Sequence, residues 1–191
     1  MRRAVKAVVM GASWGGLNAF STILAALPAR FPAAMLLVQH QHASADNRLA
    51  WLLSRYSALP VRAPEDKEEI LPGHVYVAPP GYHMLVNEDD TVALSTYRPV
   101  HFSRPSIDEL FFSAGHAYGA ALVGVLLTGA NDDGSDGLDY IRRRGGHTLV
   151  QSPQSSEAPV MPEAAIIKGA AREVLDLERI GPYLADYLVG L

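Results

Sequence analysis

The sequence predicts a doubly wound α/β domain, a mainly parallel sheet with helices on both faces and a small antiparallel hairpin. Three observations predict it. Short, wholly apolar runs recur at Ala7–Met10, Ala33–Val38 and Leu122–Leu127, as strands buried on both faces require. Amphipathic stretches separate them: Phe20, Ile23, Leu24 and Leu27 fall at helical spacing before Pro28. The alternation breaks only in the middle, where Met84-Leu85-Val86 and Val92-Ala93-Leu94 flank the turn-forming Asn87-Glu88-Asp89-Asp90.

Each element has its own signal. After the first strand and helix, the second strand ends at Gln39-His40, and a helix fits Ser44 to Tyr56 with Leu49, Leu52, Leu53 and Tyr56 on one face. Pro64 to Glu69 is charged and reads as a solvated segment; Val75-Tyr76-Val77 follows as a strand-like piece. Ser106-Ile107-Asp108-Glu109 has the S-x-x-E form of a capping box, and Ile107, Leu110, Phe111 and Ala114 give the next helix its buried stripe. A further helix runs through Leu138 and Ile141 to Arg142-Arg143-Arg144, whose charges suit a helix carboxyl end before Gly145-Gly146. Thr148-Leu149-Val150 is a strand. Pro162 suits the first turn of a helix over 162–168, and a last helix lies near Tyr183 to Val189.

Composition narrows the function. The 191 residues are 49% apolar and 19% charged, an ordinary balance for one globular domain over 1–191. The net charge of −4, without a basic block, argues against nucleic acid as a partner. The lack of cysteine excludes disulfides, thiolate zinc sites and thiol nucleophiles. Arg2 and Arg3 do not open a signal peptide, because Lys6 and Gly11 cut the apolar stretch short. No run approaches the roughly 20 apolar residues a membrane span needs. The expectation is a cytoplasmic protein without membrane insertion.

In such a sheet the chemistry lies beyond the carboxyl ends of the strands. The first strand ends in Gly11-Ala12-Ser13-Trp14-Gly15-Gly16, a G-x-S-x-G sequence between strand and helix. That turn would lift the Ser13 hydroxyl above the sheet and aim the Trp14 N–H at an oxyanion beside it. A modified dinucleotide loop is the alternative, but the second strand ends in Gln39-His40 where that fold wants an acid. A plain helix cap at Ser13 is another. His40, one strand over, is placed to serve as base to Ser13. His40-x-His42 also fits a metal pair, and with it a metal-dependent hydrolase. The third strand end, Thr128-Gly129-Ala130-Asn131-Asp132-Asp133-Gly134, offers an acid to hold the imidazole; on spacing alone Asp132, Asp133 and Asp136 all qualify.

Ser, His and Asp in this order resemble the catalytic domain of the bacterial chemotaxis protein-glutamate methylesterase, the CheB-type family. The resemblance runs from about Lys6 to about Leu177. It is carried by the serine loop, by Gln39-His40, by Leu71 to Pro79 with Gly81-Tyr82-His83-Met84, by Arg104 to Asp108, and by Leu126 to Gly134. It implies Ser13 as nucleophile, His40 as base and Asp133 as acid, with the backbone of Ala130 joining that of Trp14 in the oxyanion hole. It implies hydrolysis of glutamate methyl esters on a methyl-accepting chemotaxis receptor, deamidation of receptor glutamines, and no cofactor or metal. Three positions depart from the family's usual residues: Trp14 replaces a small residue, Ala130 a methionine, and Gln41-His42-Ala43 a Met-Pro-Pro segment. The family's usual amino-terminal receiver domain has no counterpart in these residues. If the site is dead, the remaining reading is a binding domain for a receptor or a nucleotide.

Overall fold

A computed structural model describes residues 4–189. Arg2 and Arg3, considered above as a signal-peptide start, lie outside the described residues. The elements follow in the order β1 (Ala7–Ala12), α1 (Gly16–Ala25), β2 (Ala34–Gln39), α2 (Leu49–Ser54), β3 (Val61–Arg62), β4 (Val75–Val77), β5 (His83–Val86), β6 (Val92–Ser95), α3 (Ile107–Tyr118), β7 (Leu122–Leu126), α4 (Ser135–Arg143), β8 (His147–Gln151), α5 (Val160–Ile167), β9 (Glu173–Leu175) and α6 (Leu177–Val189).

Seven strands form one sheet in the order β3-β4-β2-β1-β7-β8-β9, and every pairing in it is parallel. Strands β5 and β6 form a separate antiparallel hairpin. All six residues of β1 are buried, and their side chains alternate between two cores. Val8, Met10 and Ala12 face the core filled by Phe20, Ile23 and Leu24 of α1, Leu53 of α2, and Ile180 and Leu184 of α6. Ala7 and Val9 face Ile107, Leu110 and Phe111 of α3, Leu138 and Ile141 of α4, Met161 of α5, and Met84 of the hairpin. Each such large side chain removed from water stabilises the fold by about 1.5–3 kcal/mol. This two-sided burial is why the strands read as unbroken apolar runs.

The sheet fixes where ligands go. From β1 the chain winds outward through β2 and β4 on one side and through β7, β8 and β9 on the other. Neighbouring connections therefore diverge at β1 and β7, and a crevice opens at their carboxyl ends.

Two expectations are corrected. The helix read from Ser44 to Tyr56 is only Leu49–Ser54. Residues 42–48 satisfy one another instead: Ser44 N–H and Oγ bond to His42 Nδ1, Ala45 N–H to the His42 carbonyl, and Arg48 N–H to that of Asp46. Such local bonds compete with helix formation, and Tyr56 stays exposed. The capping box at Ser106 does not close either. Ser106 precedes α3 but makes no side-chain cap bond to it. Its hydroxyl goes elsewhere, as described next. Among the described residues no helix is long and apolar enough to cross a membrane.

Candidate active site

Ser13 stands in the turn between β1 and α1. The turn is stitched to the loop after β7, because Ser13 N–H donates to the Thr128 carbonyl at 2.9 Å and Thr128 Oγ1 donates to the Trp14 carbonyl. Gly15, at φ 83°, begins α1 in backbone that costs other residues about 1–2 kcal/mol. Gly16 lets β2 approach: a Cβ there would lie 1.8 Å from Gln39 Oε1. Gln39 uses that closeness. Its Nε2 donates to the carbonyls of both Ser13 (2.8 Å) and His40 (3.0 Å), fastening the serine turn to the histidine. Gly16→Ala should break this bracket and cost about 1–3 kcal/mol by overpacking. Urea unfolding checks it, and a variant as stable as the parent would show that the bracket yields freely.

The His40 side chain is 10% exposed, and its Nε2 lies 2.6 Å from Oδ2 of the fully buried Asp133. Nδ1 is thus the ring nitrogen left for other partners. Ser13 and His40 line the same cleft, of about 630 Å³, with no hydrogen bond between their side chains. A larger cavity of about 710 Å³ sits at the opposite end of the sheet, against Leu122, Gly146 and His147. It lies far from the serine turn.

Asp133 is the most heavily bonded group in the site. Oδ1 accepts from Ser106 Oγ (3.0 Å) and the Asp108 N–H (3.0 Å); Oδ2 accepts from the Ile107 N–H (2.8 Å) as well as from His40. A residue 26 positions beyond α3's start in sequence thereby caps α3, and its charge meets the positive end of that helix. Burial alone would raise its carboxyl. The hydrogen bond and charge of His40, with the Asp108 and Ile107 N–H groups, outweigh burial and hold it below the ordinary value.

The other two acids that spacing allowed lie elsewhere. Asp132 is exposed, 3.6 Å from His101 Nδ1, and Asp136 pairs with Lys168. The backbone N–H groups of Trp14 and Ala130 donate to no described residue, which leaves both available. The Trp14 side chain is 69% exposed and does not line the cleft, so it does not narrow it. The His40-x-His42 pair gains no third ligand. Among the described residues, the group able to surround a metal is His101, Asp108 and Asp133, which contains neither histidine of the pair.

Four residues escaped the sequence reading. Gln39 was noted only as a strand end, and Ser106 only as a cap. Asp108, noted only as a member of the capping-box pattern, is 2% exposed and accepts from the Gly137 N–H at 2.7 Å. His101 Nε2 lies 3.2 Å from Asp108 Oδ2 at the cleft wall. Burial first, then the neighbouring charge of Asp133, pushes the Asp108 carboxyl up to about 7, against the lowering pull of the Gly137 N–H and His101. Two carboxylates side by side are driven apart in this way.

Known proteins are similar to this chain along most of its length. Residues 8–184 match the family described as CheB methylesterase. A candidate protein-glutamate methylesterase/protein-glutamine glutaminase of Leptospira interrogans is 45% identical over 92% of this chain and 91% of its own. The protein-glutamate methylesterase FrzG of Myxococcus xanthus is 40% identical over 95% of this chain, which spans 54% of FrzG. The crystal structure of the Thermotoga maritima CheB methylesterase catalytic domain superposes with a TM-score of 0.91 at 31% identity, covering 97% of this chain and all of that one. Sequence and fold agree along almost the full length, and the chain belongs to the CheB methylesterase family.

Proposed function

We propose that this chain is a serine hydrolase that removes methyl groups from esterified glutamates of a chemotaxis receptor in the cytoplasm, with Ser13, His40 and Asp133 as its triad. The observation that supports this most is the 2.6 Å contact between His40 Nε2 and Asp133, on the wall of the cleft that Ser13 also lines. The Asp133 carboxylate accepts the Nε2 proton, so the lone pair sits on Nδ1. Nδ1 takes the Ser13 proton as Oγ attacks the ester carbonyl. The unclaimed N–H groups of Trp14 and Ala130 receive the oxyanion, in place before charge develops. Nδ1–H then protonates the departing methoxide to methanol, and water activated by Nδ1 splits the acyl-enzyme to glutamate. A glutamine side chain entering the same way would leave ammonia and the same acyl-enzyme, which accounts for the paired activities in the relatives' names. The receptor is what the family resemblance implies, and the name of the Myxococcus xanthus relative FrzG says that it acts on protein glutamate.

A fluorophosphonate probe separates this mechanism from metal chemistry. It should label Ser13 alone, as read by peptide mass spectrometry, and chelators should leave ester hydrolysis unchanged. Activity lost to a chelator and restored by zinc would sink the serine mechanism.

A further inference from the structure

The cleft that Ser13 lines also carries, on its wall, a two-residue turn with an unusual sequence. Val100 and Ser103 exchange backbone hydrogen bonds of 3.1 and 2.8 Å, and the residues between them, His101 and Phe102, both have positive φ, 47° and 59°. Turns of this shape take glycine or asparagine, because other side chains strain there. His101 has a compensating contact in its pair with buried Asp108. Phe102 has none: its relative exposure is 106%, so its ring gains nothing from folding. A strained backbone that displays an unpacked aromatic ring into water costs stability that the ring does not recover, and such outliers point to function. Phe102 lines the same cleft as Ser13, His40 and Arg104.

We propose that Phe102 is a specificity-determining residue, an apolar tooth that packs on the polypeptide flanking the esterified glutamate, and that the His101–Asp108 pair positions the turn that carries it. The inference rests on the methylesterase reading and deepens it. The occupant follows from the chemistry: the reacting group is a neutral methyl ester on a protein chain, and a small ester has no flanking chain for Phe102 to cover. Phe102 touches no reacting atom. Its contact is made equally in ground and transition states, so it acts on KM. His101 works through Phe102 and is a positioning residue.

The test compares a methylated receptor fragment with a small soluble methyl ester, using parent, Phe102→Ala, Phe102→Gly and His101→Asn proteins. Both Phe102 variants should lower the preference for the fragment over the small ester by about tenfold, through the fragment's KM. Phe102→Gly should melt no lower than the parent, since glycine relaxes the turn. His101→Asn tolerates the turn but loses the contact with Asp108; it should raise the fragment's KM, and Phe102→Ala added to it should do little more. An unchanged preference in the Phe102 variants, or an equal loss on both esters, overturns the proposal while the hydrolase reading stands. If the parent cleaves the small ester but not the fragment, the proposal and the receptor substrate both fall. If it cleaves neither ester, the hydrolase reading fails and takes the proposal with it.

Discussion

Ser13→Ala is expected to lower turnover of a methylated receptor fragment by roughly 10⁵ to 10⁶, and His40→Ala by nearly as much. Without Oγ there is no covalent route. Without the ring, the hydroxyl keeps its proton and is a poor nucleophile. The double variant should be scarcely slower than either single one, because both residues serve one step. What survives comes from binding and from the Trp14 and Ala130 N–H groups, which neither substitution touches. Steady-state rates on the same fragment decide the matter. Wild-type turnover in Ser13→Ala ends the serine mechanism, and losses that multiply would mean that the two residues act in separate steps.

Asp133→Asn should cost about 10⁴ in rate and, unlike a change confined to chemistry, about 2–4 kcal/mol of stability as well. From sequence alone Asp133→Asn is expected to leave the fold intact, with a stability role for an acidic loop residue as the alternative. The hydrogen bonds favour the stability role. An amide NH₂ in place of Oδ1 faces the Asp108 N–H; in place of Oδ2 it faces the Ile107 N–H and His40. Either way a buried N–H at the start of α3 meets a donor. With NH₂ toward His40, Nε2 must accept and Nδ1 carries the proton, so the base is lost.

The pH dependence has a definite sign. The Asp133 carboxyl is lowered from 3.8 in the folded protein. Its contribution is complete above the unfolded value and is lost as pH falls through the folded one. Asp133→Asn should therefore flatten the acid limb of the stability curve, as measured by urea unfolding between about pH 5 and pH 2. A parallel curve displaced downward would locate the loss outside the carboxylate's charge.

The sheet was legible because its signal is local. A strand buried on both faces must be apolar throughout, and β1, β2 and β7 are. The capped ends of those strands also marked where to look for Ser13 and His40. What stayed hidden depends on partners distant in sequence. Ser106 satisfies a local capping pattern, yet its hydroxyl is drawn to Asp133 across 27 positions. Asp108 has the sequence position of an exposed acid that complements a helix dipole, and only the fold puts it underneath His101. The His101-Phe102 turn lacks the glycine or asparagine by which such turns are read. Choosing Asp133 among three acids needed the family likeness; spacing alone left them equal.

The placement of β1 between β2 and β7 also governs when the site comes into being. β1 and β2 are separated by a single helix, so Ser13 and His40 can meet early in synthesis. Asp133 arrives with β7, and Ala7 finds its partner Leu122 only after most of the chain has been made. Closing so long a loop is slow relative to local contacts. The nucleophile is therefore exposed on a half-built sheet before any acid holds its base in the working tautomer. On the proposed triad, a newly made chain would stay catalytically silent until β7 and the loop after it dock beside β1, and serine reactivity would report that docking step.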